Sequence, residues 1–256
     1  MSSKVSQVKF TGVNPRYSSW SCRGWFALKL LGVDFEEDTL NLIDPDFSSK
    51  AEKISPSKLF PCVTLTTTDE SGKDTGKSHN IWDSFAIAEW AYEYATETGN
   101  TAAKNALYPS DWECRALARS AIAEMHSGFP AIRTHCSSNF VTKRPFTPEK
   151  WWDNTNVEKE LTRIISLWKS CREKYVERKS DSSDAASEDQ GFLFGTFGLV
   201  DAFFVPVVYR IKHYSLPVKD EFALEYMNKV MNHKYVLEWQ DKANKDTIIL
   251  PHYEYI

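Results

Sequence analysis

The chain has 256 residues, 42% hydrophobic and 26% charged, a globular balance long enough for one large or two modest domains. Its net charge of −4 gives no electrostatic case for binding nucleic acid or an anionic membrane, and no apolar run approaches a membrane span. Five scattered cysteines without a CxxC pair exclude a disulfide framework and a zinc site as readings, and no apolar core of a signal peptide follows Lys4 and Lys9. A cytoplasmic protein with reduced thiols is the expectation.

In chain order, residues 5–13 predict a short strand. The stretch Tyr17-Ser18-Ser19-Trp20-Ser21-Cys22-Arg23-Gly24-Trp25-Phe26-Ala27-Leu28 is hydroxyl-rich, then apolar at helical spacing, and Gly32 stands where a C-terminal cap would. Residues 34–42 predict a mostly polar second strand at a sheet edge, broken by Asp44-Pro45 and followed by a short helix over 48–54. Cys62-Val63-Thr64-Leu65 reads as a strand, 66–77 as a long hairpin loop, and Asn80-Ile81-Trp82 as a short strand. Asp83-Ser84 then precedes apolar residues at helical spacing, as an N-cap would. The order β-α-β-α-β-β-α predicts a small mixed sheet with helices on its faces. Beyond a polar linker near 96–105 the pattern is helical: 112–134, 157–178, a nearly all-apolar helix over 198–214, and 222–243. Residues 180–189 are acidic and Ser-rich and read as a surface loop.

A serine-rich turn between strand and helix places hydroxyls where unpaired N–H groups and the helix dipole favour negative charge. A serine there can also simply cap its helix, as Asp83 and Ser84 can cap theirs. Cys22 lies a turn inside the helix and reads as a buried, inert thiol. His126, in a small and apolar context, reads as a packing histidine.

Four separated segments together resemble the soluble glutathione transferases. They are the 17–28 stretch above, similar to a YSSWS-type bacterial and fungal branch and more distantly to the zeta class; Ser55-Pro56-Ser57-Lys58-Leu59-Phe60-Pro61, the approach to the family's cis-proline; Ile81-Trp82-Asp83-Ser84-Phe85-Ala86-Ile87-Ala88-Glu89, its acid-serine motif; and Phe192-Leu193-Phe194-Gly195-Thr196-Phe197-Gly198-Leu199-Val200-Asp201-Ala202, the start of its core helix. Glu124-Met125-His126-Ser127-Gly128-Phe129-Pro130 adds a branch-specific match.

The resemblance implies an α/β thioredoxin-like N-terminal domain over 1–98 and an all-α domain over 105–256. It implies that Ser18 faces the glutathione sulfur, with Ser19 the next candidate because a one-residue shift in the turn exchanges them. The Phe60 main chain before Pro61 would pair with the cysteinyl part, Asp83 and Ser84 with the γ-glutamyl end, and Lys58 with the glycine carboxylate in place of a missing polar side chain at Leu59. Trp20, Met125, His126, Phe129 and Arg133 would line a second-substrate pocket. Asp201 is implied to be structural, with Gly198 a weak cap before it. The implied activity is transfer of glutathione to a small electrophile by a homodimer, with glutathione as co-substrate and neither metal nor redox cofactor. A zeta-like isomerase and a non-catalytic glutathione-binding regulator are the alternatives.

Overall fold

The computed structural model describes residues 4–69, 71–145, 155–181 and 189–254. Strand β1 (Lys4–Val13) leads into helix α1 (Ser19–Leu31), strand β2 (Glu36–Leu40), helix α2 (Phe47–Ile54), strands β3 (Cys62–Thr68) and β4 (Asp74–Trp82), and helix α3 (Ser84–Glu97). The sheet order is β2-β1-β3-β4, with β1 parallel to β2 and antiparallel to β3, and β3 antiparallel to β4. This is the thioredoxin-like mixed sheet. Both edge strands are rich in polar residues, which discourages pairing with another chain.

Eight further helices complete the described chain: α4 (Thr101–Leu107), α5 (Trp112–Ser127), α6 (Pro130–His135), α7 (Thr155–Asp181), α8 (Leu199–His213), α9 (Glu221–Met231), α10 (Lys234–Lys245) and the single turn α11 (Pro251–Glu254). Helix α8 is buried along nearly its whole length, as its apolar sequence requires. Trp168 of α7 packs edge-on to Phe204 of α8 and tilts against Tyr226 of α9. The Asp201 carboxylate accepts from Gly198 N–H at 2.9 Å, Leu193 N–H at 3.2 Å and Tyr226 OH at 3.0 Å. It fixes the start of α8 without any side chain from Gly198, and burial pushes its pKa up to about 6.

Helix α1 joins the two layers. Gly32 closes it with φ of 72° and donates to Leu28 O. Trp25 meets Trp239 of α10, while the Arg23 guanidinium donates through Nε to Phe203 O of α8 at 3.0 Å. Gly24 packs closely on the residue before β3: a Cβ there would lie 2.7 Å from Pro61 Cγ.

Four expected boundaries differ. The expected loop at 66–77 is mostly strand, because Thr66, Thr67 and Thr68 are β-branched and continue β3. The turn between β3 and β4 is held by the Asp69 carboxylate, which accepts from Ser71 N–H, Ser71 Oγ and Lys73 N–H. The expected helix over 112–134 breaks at Gly128 and Phe129. Pro130 cannot donate a helical hydrogen bond and keeps Phe129 out of the right-handed helical region; Phe129 takes the left-handed conformation, with φ of 60°. The expected helix over 222–243 breaks at Asn232-His233, where Asn232 Nδ2 turns back onto Asn228 O and His233 stacks on Phe197. Ser180 and Asp181 extend α7 rather than opening a loop; the rest of the expected acidic loop, residues 182–188, lies outside the described residues.

Candidate functional site

The N-termini of α1 and α3 point toward one side chain of α5. Ser18 is the N-cap of α1: its Oγ accepts from Ser21 N–H at 3.1 Å and donates to Ser21 Oγ at 2.9 Å. Ser21 Oγ also accepts from Val13 N–H at 3.0 Å, so the cap is stitched to the end of β1. Ser19 follows as the first helical residue and is buried. Cys22 is fully buried, and burial pushes its thiol well above the ordinary value despite the nearby charges of Arg23 and Arg210. All five cysteines are buried and unbridged, as the sequence implied for Cys22.

At α3, Asp83 is the N-cap and accepts from Phe85 N–H at 2.7 Å. It sits at φ of 76°, a conformation a non-glycine residue rarely adopts. Burial pushes its carboxyl up, but the bonds from His126 and Phe85 N–H more than offset this and hold it below the usual range. His126 Nε2 lies 3.3 Å from Asp83 Oδ2. The same ring meets Trp20 edge-on at 5.1 Å and Phe85 at 5.9 Å. His126 is therefore more than packing: it bridges the two helix starts. Sequence reasoning singled out both Asp83 and His126 but not their contact.

Ser84 is the first residue of α3, and its Oγ is buried without a hydrogen-bond partner among the described residues. Such a group costs about 1–3 kcal/mol unless something pairs with it. His126 Nδ1 and both Nη atoms of Arg23 share that condition. Trp20 carries two cations, the Arg23 and Arg133 guanidinium carbons lying 5.0 and 4.9 Å from its ring. Arg133 donates to Gly128 O, Met125 O and His126 O, carbonyls left open where α5 stops before Pro130.

The remaining candidates separate. Trp20, His126 and Arg133 gather on one wall, whereas Met125 and Phe129 are core residues, 1% and 5% exposed. The Phe60-Pro61 peptide bond is cis, as the resemblance implied. Lys58 pairs with Glu52 at 3.1 Å and Leu59 is exposed.

One side chain that holds the residues before Ser18 had no sequence signal. The Glu254 carboxylate accepts from Arg16 Nε at 3.0 Å, Tyr17 OH at 2.7 Å and Asn139 Nδ2 at 3.1 Å through Oε1, and from Thr142 Oγ1 at 2.9 Å and Arg144 Nη2 at 3.3 Å through Oε2. Tyr17 OH in turn accepts from Leu250 N–H at 3.2 Å. The tail is thus fastened to the two residues that precede Ser18.

Residues 17–93 match the family model described as Glutathione S-transferase, N-terminal domain. Among solved structures, the chain is similar to a glutathione transferase homologue from Burkholderia with bound glutathione, at 18% identity and a TM-score of 0.54, covering 93% of this chain and 99% of that one. It is similar to glutathione transferase Omega 2S from Trametes versicolor, at 14% identity, TM-score 0.56 and coverage of 95% and 97%. It is also similar to the nitrogen regulation fragment of the yeast prion protein Ure2p, at 15% identity, TM-score 0.58 and coverage of 94% and 99%. The fold is that of the soluble glutathione transferases. No curated protein sequence matches the chain. Among the described residues no helix is long and apolar enough to cross a membrane, and no group of three or more His, Cys, Asp or Glu side chains is arranged to hold a metal ion.

Proposed function

We propose that this chain is a serine-type glutathione transferase that adds glutathione to a small electrophile. The observation that carries the reading is Ser84 Oγ, buried and without a partner among the described residues at the start of a 14-residue helix beside Asp83. A carboxylate placed there gains that hydroxyl, the free N–H groups of the first turn and the helix dipole. The γ-glutamyl carboxylate of glutathione is such a group. The Phe60 main chain before the cis bond would take the cysteinyl part, and Lys58 would turn from Glu52 to the glycine carboxylate.

The sulfur would then reach the start of α1. Lowering a thiol from about 8.5 by two units takes roughly 2.7 kcal/mol of preference for the thiolate. Ser18 supplies a hydroxyl that can rotate from Ser21 Oγ to the sulfur, and Ser19 stands one residue away. The dipole of α1 and the Arg23 and Arg133 cations flanking Trp20 add positive potential. Trp20, His126 and Arg133 would face the electrophile. In this reading residues 1–98 hold glutathione and 105–256 hold the second substrate, in a cytoplasmic homodimer needing neither metal nor redox cofactor.

A second reading has its own support. The Ser18 hydroxyl hydrogen is engaged by Ser21, and the likeness to Ure2p extends to its complexes with glutathione and S-hexylglutathione. A binder without turnover fits both. Calorimetry with glutathione on the wild type and Ser84→Ala tests the shared part: the variant should lose tenfold or more in affinity, the worth of a hydrogen bond to a charged group. Equal affinities would refute the placement. A conjugation assay with 1-chloro-2,4-dinitrobenzene then separates transferase from binder.

A further inference from the structure

Ser21 is the third residue of α1, a position from which a side chain often returns to the N–H of the cap residue. It does not do so here. The Ser18 N–H is already taken by Asn14 O at 3.0 Å, and Ser21 Oγ meets Ser18 Oγ at 2.9 Å and the Val13 N–H at 3.0 Å instead. The side chain is pinned in that place. Ser21 is fully buried, and only a glycine at position 12 lets it lie against β1, since a Cβ there would come within 3.2 Å of Ser21 Cβ.

A serine hydroxyl carries one hydrogen and accepts up to two. Ser18 Oγ accepts from Ser21 N–H at 3.1 Å and gives its hydrogen to Ser21 Oγ. Ser21 Oγ thus accepts twice, from Ser18 and from Val13, and its own hydrogen finds no acceptor among the described residues. An anion in front of α1 changes this. A charged acceptor outcompetes a neutral hydroxyl for the Ser18 hydrogen. Once that hydrogen turns outward, Ser18 Oγ offers a lone pair 2.9 Å from Ser21 Oγ, and the Ser21 hydrogen turns onto it. Every donor is then paired: Val13 N–H to Ser21, Ser21 to Ser18, Ser18 to the anion. The two serines are better satisfied with an anion in place than without one.

We propose that Ser21 is a positioning residue for the thiolate, donating to Ser18 Oγ and so strengthening the bond from Ser18 to the glutathione sulfur. The inference rests on the transferase reading with Ser18 as the thiolate donor. No O–H bond breaks: each hydroxyl keeps its hydrogen and only rotates. Hydrogen bonds in such a chain polarise one another, by about 10–30% per bond.

Ultraviolet titration of the thiolate on glutathione bound to the full chain reads the effect in wild type, Ser18→Ala, Ser21→Ala and the double variant, with a thermal melt for each. Ser21→Ala should raise the bound thiol pKa by about 0.3–0.5 unit, a roughly two- to threefold smaller thiolate fraction at a pH below it, and Ser18→Ala should raise it further. The double variant should match Ser18→Ala alone, because Ser21 acts only through Ser18. Ser21→Cys keeps an acceptor for the Val13 N–H but supplies only a weak donor. It should shift the pKa in the same direction, and it takes the place of Ser21→Ala if that variant does not fold. An unchanged or lowered pKa in the Ser21 variants, or a further rise when Ser21→Ala is added to Ser18→Ala, overturns the proposal. If Ser18→Ala raises the pKa and the Ser21 variants do not, this inference fails alone; if Ser18→Ala keeps the wild-type pKa, or the wild type binds no glutathione, the transferase reading fails and takes this one with it.

Discussion

Glu254→Gln should loosen the turn that carries Ser18. The substitution keeps the side chain's size, removes the charge facing Arg16 and Arg144, and puts an NH2 donor where only donors converge. In the native protein burial pushes this carboxyl up, but the bonds from Tyr17, Thr142, Arg16 and Asn139 outweigh it and hold the pKa at about 2 rather than 4.5. That depression corresponds to about 3 kcal/mol by linkage. Glu254 is partly rather than fully buried, so solvent screening reduces this to about 1.5 kcal/mol. If the whole chain unfolds as one unit, Tm should fall by about 3–6 °C at pH 7. The sign of the pH effect follows from the depressed value. The unfolded carboxyl binds protons first as pH falls, so the contribution is complete above about 4.5 and is lost as pH drops through about 2. The gap between wild type and variant should therefore narrow to about half or less by pH 3. Thermal melts at both pH values, with amide exchange followed at Arg16, Tyr17, Ser18 and Leu250, measure this. A gap that is the same at pH 7 and pH 3, or unchanged exchange at those four amides, would refute the clamp.

Two further predictions concern α1. Ser18→Ala should lower turnover at neutral pH, with partial recovery at higher pH, while Cys22→Ala leaves the pH–rate profile near wild type because its thiol is buried and un-ionised; the reverse pattern would point to a cysteine-type thiol-exchange enzyme, and a shift seen only in Ser19→Ala would move the thiolate donor by one residue. Gly24→Ala inside a helix ordinarily stabilises by about 0.5–1 kcal/mol, but here the new Cβ meets the rigid Pro61 ring, so a loss of about 1–3 kcal/mol is expected; a Tm at or above wild type would show that α1 does not press on the cis-proline loop as described.

What could be read from the sequence was what neighbouring residues decide. Gly32 announces its left-handed cap and Asp83 its helix start, each within a few residues. The apolar run of α8 announces burial without needing its partners. The misplaced breaks were also local, and the signals were present: Pro130 marks the end of α5, and the threonines before Asp69 favour strand over loop. The candidate site was harder. Asp83 and His126 were each visible, but their contact joins residues 43 positions apart, and nothing in either neighbourhood encodes the distance. Glu254 was invisible for the same reason. Its donors Tyr17 and Arg144 stand 237 and 110 residues away, and a lone glutamate in a tail has no local pattern to distinguish it from a solvated one. Ser84 was proposed for its motif; its lack of a partner needed the packed surroundings to be seen.

The bond from Arg23 Nε to Phe203 O makes α1 a shared beam between the sheet unit and the helices. A chimera that took its first hundred residues from one relative and the rest from another would inherit both sides of that junction unmatched. Arg23 would arrive fully buried with whatever carbonyl the foreign α8 offered, and Trp25 would meet a different residue in place of Trp239. Exchange of whole halves is therefore restricted to donors that agree at these few contacts, whereas loops remote from α1 are free to be swapped.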